Sequence, residues 1–193
     1  MTDPRISVIT REQWAARPPN PSRLSIRRDN IVGATFHHTT GANLGSESTE
    51  QWARNIQNFC MDDRTPRYGD IEYNAMVRAW HDPQHGPRGV FVEGRDPRFV
   101  GAHASSTGNV ANRTTVGVAL MGNGDDVLAD AELRPLVVEL VQLAWYFVVL
   151  TLHAERITSK PLHYGHRDWI PHGGTATYCP SNAFEALVAS TLR

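Results

Sequence analysis

Ile31-Val-Gly-Ala-Thr-Phe-His-His-Thr-Thr-Gly41 opens on a short, largely apolar and partly β-branched run, the composition of a buried strand, which ends at two histidines. His37 and His38 therefore fall at a strand's end, where side chains project into loops and clefts. Upstream, Arg11 to Pro19 holds Trp14 among loop-forming residues, and Pro18, Pro19 and Pro21 lead on to Asn30. That stretch predicts an N-terminal wrap over residues 1–30. Downstream, Ser48-Thr-Glu-Gln51 has the form of a capping box, and Trp52, Ile56, Phe59 and Cys60 follow at helical spacing. Ile71 to Trp80 and Gly89 to Arg95 are strand-like, separated by the turn composition His81-Asp-Pro-Gln-His-Gly-Pro87. Thr114 to Met121 reads as a further strand. Asp130 caps a long helix, and Asn182 opens a short one ending near Leu192. Strands interleaved with helices give an α/β fold, a single domain over 1–193 whose core, 31–193, is a central mixed β-sheet flanked by helices.

At 193 residues the chain buries a core without needing disulfides or a structural metal. Lys+Arg 19 against Asp+Glu 20 leaves a net charge of -1, which gives no field favouring nucleic acid or an anionic membrane. The opening Met1-Thr-Asp-Pro-Arg-Ile-Ser7 lacks the apolar run of a secretory signal, so the expectation is a protein made in the cytoplasm. Pro135 to Leu152 is nearly long enough to span a bilayer. Glu139 and Gln142 interrupt it, and Glu132, Arg134, Glu155 and Arg156 bracket it, which predicts a core helix without stable membrane insertion. Of the two cysteines, Cys60 follows an apolar helical pattern and reads as a small buried hydrophobe, whereas Cys179 lies in a polar loop marked by Gly and Pro.

Nine histidines are many for this length, though singly most are surface or hydrogen-bonded residues. Their clustering matters more. His37-His38, His163 and His166 around Tyr-Gly, and Cys179 are three separated segments able to converge on one ion. Catalytic zinc takes three protein ligands and keeps a fourth position open, a requirement that a His-His-Cys set meets. No second cysteine stands near Cys179, which argues against a closed zinc-finger site. Spacing does not choose the ligands, and His103 and His172 remain rivals on chemistry alone.

Seven segments in order then carry a resemblance: Ile9 to Pro19, Phe36-His-His-Thr-Thr-Gly41, Ile56 to Asp62 with Asp70-Ile-Glu-Tyr-Asn74, Val92-Glu-Gly-Arg95 with Gly101-Ala-His-Ala104, Thr115-Val-Gly-Val118, Gly165-His-Arg-Asp168, and Tyr178-Cys-Pro180. The chain resembles the type 2 N-acetylmuramoyl-L-alanine amidases, which include phage lysozyme-type endolysins and animal peptidoglycan recognition proteins. The resemblance implies their fold and a zinc ion held by His37, His166 and Cys179. It makes Tyr73 and Thr177 catalytic, places His38, Arg64 and His103 along the substrate groove, and gives Asp168 the orienting of a ligand. Cys60 stands where many recognition proteins have a groove histidine, and the loop Trp169 to Thr177, with His172 in it, is longer than usual. The implied activity is zinc-dependent hydrolysis of the amide between N-acetylmuramic acid and L-alanine in bacterial peptidoglycan. The implied setting is a monomeric, bacteriolytic phage endolysin acting on the cell wall after release. The alternative is a noncatalytic peptidoglycan-binding module of the same fold; such relatives typically lack the zinc-binding cysteine, which is present here as Cys179. A zinc hydrolase of small amides is a second alternative.

Overall fold

β2 (Gly33–His38) is buried at all six positions, its polar Thr35, His37 and His38 included, because strands pair on both of its edges and both faces are covered. It runs parallel to β5 (Thr115–Leu120) on one side and to β6 (Leu162–Gly165) on the other. The computed structural model describes residues 3–40, 47–154 and 160–192; Gly41, Glu155 and Arg156 of the sequence reading lie outside them. With β1 (Ile6–Ile9), β3 (Ala75–Asp82) and β4 (Gly86–Glu93), these strands form one six-stranded sheet in the order β1-β4-β3-β5-β2-β6. Only the β3–β4 pair is antiparallel, so the sheet is mixed.

Strand alternation divides the core between two faces. Ala34 and Phe36 of β2, Val116, Val118 and Leu120 of β5, and Val77 of β3 point to the face covered by α4 (Arg134–Ala154) and α5 (Asn182–Thr191). Met76, Val90, Val92 and Ala119 point to the other, where Trp14, Ile71 and α1 (Thr49–Asn58) pack. By length and composition α4 is apolar enough to cross a membrane. Leu136, Val137, Leu140, Val141, Ala144, Val148 and Leu152 form a buried stripe that packs against the sheet and α5. Asp130 caps its approach, with Oδ1 accepting from the N–H groups of Glu132 and Leu133. Ser48 caps α1 as expected, its Oγ accepting from Gln51 N–H at 3.1 Å.

Three expectations are corrected. Residues 1–30 do more than wrap: Ile6–Ile9 pairs in parallel with Gly89–Val92 and supplies an edge strand, while Trp14, fully buried, donates from Nε1 to Glu93 O. The strand expected from Ile71 begins only at Ala75, because the Asn74 side chain bonds both Arg95 O and Gly117 N–H and turns the chain aside. Phe59, expected on the buried face of the first helix, is 50% exposed in a wide helical turn over Phe59–Asp63.

Candidate metal centre

Parallel pairing of β2 with β6 aligns Phe36 with Gly165, so the next residues, His37 and His166, leave adjacent strand ends side by side. Their Nδ1 atoms lie 3.2 Å apart. Cys179 arrives from the loop before α5, which is fixed by Ser181 capping Phe184 N–H and by Arg167 donating to Pro180 O. Its Sγ lies 3.6 Å from His37 Nδ1 and accepts from His38 N–H at 3.3 Å. All three donor atoms fall within 4.8 Å of one another, the one such cluster among the described residues. A tetrahedral zinc ion, with bonds of about 2.0–2.1 Å to nitrogen and about 2.3 Å to sulfur, sets donors roughly 3.3 Å (N to N) and 3.6 Å (N to S) apart. The spacings of His37 to His166 and to Cys179 fit it, and His166 and Cys179 lie within 4.8 Å of each other.

Burial decides the protonation of this set. It pushes His37 well below the ordinary imidazole range and lowers His166 as well. The Cys179 thiol is pushed up to about 11, with the His38 N–H acting the other way. Both imidazoles are therefore neutral, with lone pairs that could serve a cation, and a cation is what would draw the thiol to its thiolate form.

Tyr73 closes the centre from the segment before β3, its ring centroid 5.4 Å from that of His37. Burial, and next the carboxyl of Glu72 beside it, raise the phenol well above its usual range, so it stays a donor. Glu72 is itself pushed up by burial and opposed by Arg64, which pairs with it at 2.8 Å. Glu72 stands in the sequence between Ile71 and Tyr73, with nothing beyond that neighbourhood to mark it for the site. An open cleft of about 590 Å³ leads away from the centre, lined by Arg23, Arg64, Tyr68, His103, His166 and Thr177. On the other side Trp52, Ile56 and Phe59 line a hollow of about 300 Å³ with Glu72 and Tyr73, which is why that stripe of α1 is not sealed in the core.

No protein-family model matches the chain. Peptidoglycan-recognition protein SD of Drosophila simulans is 28% identical over 184 residues, 95% of this chain and 84% of the relative. The crystal structure of Drosophila peptidoglycan recognition protein SD superposes with a TM-score of 0.67 at 25% identity, covering 95% of this chain and 93% of that one. Human PGRP-IBETAC in complex with glycosamyl muramyl pentapeptide gives a TM-score of 0.63 at 22% identity, over 95% and 94% of the two chains. In sequence and in fold this chain is similar to the peptidoglycan recognition proteins. The mixed six-stranded sheet flanked by helices is the peptidoglycan recognition protein fold, as the ordered motifs implied.

On that fold the expected site residues separate into two groups. His37, His166, Cys179, Tyr73, His103 and Thr177 come together. His38 does not: alternation turns it to the opposite face of the sheet, where its Nδ1 accepts from Gly124 N–H at the start of α3 (Gly124–Ala129). It anchors that helix instead of a substrate. Asp168 caps its own turn, accepting from Gly165 N–H at 2.7 Å, the local use open to any aspartate after a strand. Thr177 Oγ1 accepts from Cys179 N–H at 3.1 Å and so shapes the ligand loop while facing the cleft. His172 lies against Trp169 and His163 against Trp145, so neither joins the ligand set. Cys60 is buried and free, its thiol pushed up to about 12, which agrees with a small core residue.

Proposed function

We propose that the chain hydrolyses the amide between the lactyl group of N-acetylmuramic acid and L-alanine in peptidoglycan, with zinc held by His37, His166 and Cys179. The observation that carries this reading is the convergence of two neutral imidazoles and one thiol at tetrahedral spacing, at the mouth of an open cleft. Bound zinc would supply Lewis acidity toward the carbonyl and lower the pKa of a water. The chain's own residues do the rest. Tyr73, kept protonated by its burial, donates to the carbonyl oxygen as negative charge builds there. Glu72, bonded to Tyr73 and paired with Arg64, holds the phenol and the guanidinium in place, and the proton that water gives up leaves with the alanine amine. Thr177 holds the Cys179 loop and presents a hydroxyl to the cleft.

The muramyl pentapeptide named with the human relative supports a peptidoglycan fragment as the cleft's occupant. Arg23 and Arg64 on one side suit the carboxylates of a stem peptide. Digestion of purified cell walls is expected to release new L-alanine amino ends, to stop with a chelator and to stop in Cys179→Ser. Binding to walls without new amino ends would instead support the noncatalytic module, the reading favoured by the recognition-protein names of the relatives. For the biological role we propose an endolysin that acts on the wall after release from the cytoplasm. Expression inside bacteria should then be harmless until the membrane is breached, and early lysis would count against it.

A further inference from the structure

His103 is expected on the substrate groove, yet it is only 4% exposed and its ring stands against His37. His37 Nε2 lies 3.0 Å from His103 Nδ1, and His103 Nε2 lies 3.4 Å from the Thr115 carbonyl oxygen. A carbonyl oxygen only accepts, so His103 must carry its hydrogen on Nε2. A neutral imidazole has one N–H, which leaves His103 Nδ1 an acceptor. The hydrogen between the rings therefore belongs to His37 Nε2. We propose that His103 is a positioning residue that holds His37 in the Nε2–H tautomer, so that the Nδ1 facing His166 and Cys179 carries a free lone pair.

Two glycines make room for this relay. A Cβ on Gly117 would stand 2.4 Å from His103 Cδ2, and one on Gly101 would stand 2.6 Å from the same atom. The imidazole is thus clamped between β5 and the loop before α2 (Val110–Thr114), and the direction of the hydrogen bonds is dictated by a main-chain group that cannot change role. Groups behind a ligand commonly set its orientation and tautomer in this way.

The inference rests on the metal-site reading but not on turnover, and it is tested without substrate. Long-range ¹H–¹⁵N spectra of histidine-labelled, metal-free protein report the tautomer of His37, assigned by its loss in His37→Ala. Wild type and His103→Asn, which places an amide oxygen near the Nδ1 position, are expected to show Nε2–H. His103→Leu is expected to show both tautomers or Nδ1–H, and to bind zinc about 10- to 100-fold more weakly, with His103→Asn close to wild type. Gly117→Ala, which displaces the ring without removing it, should behave as His103→Leu does and serves if that variant fails to fold. A wild type in the Nδ1–H form, or a single unchanged Nε2–H tautomer with full zinc affinity in His103→Leu, overturns the proposal. A wild type that shows the expected tautomer but binds no zinc overturns the metal site and leaves the His103–His37 relay standing.

Discussion

Replacing Tyr73 with Phe removes one phenolic donor and leaves in place the ring packed 5.4 Å from that of His37. Zinc content is expected to be unchanged while amide hydrolysis slows about 10²- to 10³-fold, the usual consequence of losing one oxyanion donor. A full-rate Tyr73→Phe protein would remove that residue from the chemistry. The buried histidines make a second expectation. Burial lowers both His37 and His103, the latter to about 3, whereas an unfolded histidine takes up its proton near pH 6.5. Between those limits the unfolded chain holds more protons, so stability is present above about pH 6.5 and is lost as pH falls toward about 3. Thermal unfolding of metal-free protein across that range should show it, with a shallower slope in His103→Asn; identical slopes would contradict it. At this scale His37, Cys179 and Tyr73 were legible because they stand inside recognisable motifs. The bonding of His103 was not, since it depends on Thr115 and on the space at Gly117, neither of which marks a histidine's environment in a linear reading.

Among the elements, β6 matters beyond its four residues, because its pairing with β2 is what brings His166 beside His37. Gly33 permits that pairing: a Cβ there would stand 1.7 Å from the Leu162 carbonyl oxygen. Gly33→Ala should therefore force the strands apart, lower unfolding free energy by about 1–3 kcal/mol, and weaken zinc binding at a distance from the ligands. Denaturant unfolding alongside a zinc competition assay checks both, and a variant with unaltered zinc affinity would separate β6 from the metal centre. β2, β5 and α4 could be read from the chain because their apolar runs are long enough to carry a pattern. β1 and β6 could not, as each is four residues long and owes its strand conformation to a neighbour already in the sheet.

Over the whole molecule, the three donors come from positions 37, 166 and 179, so an ion bridging them ties the β2–β6 side of the sheet to the loop before the last helix. An ion that binds only the folded state stabilises it by about 4 kcal/mol when its free concentration is a thousandfold above Kd. Zinc should then raise the unfolding temperature and a chelator should reverse the rise; no shift in either direction would speak against a shared ion. The α/β class and the order of the motifs were readable at this scale, because both depend on the succession of segments and not on their contacts. One further consequence concerns β1. Gly89–Val92 of β4 is paired with β3 on one side and with Ile6–Ile9 on the other. Cutting away residues 1–9 would bare a row of main-chain donors and acceptors, a template on which further chains can add. Light scattering on such a truncated protein should find assemblies growing with concentration, which would make Ile6–Ile9 a guard against self-polymerisation.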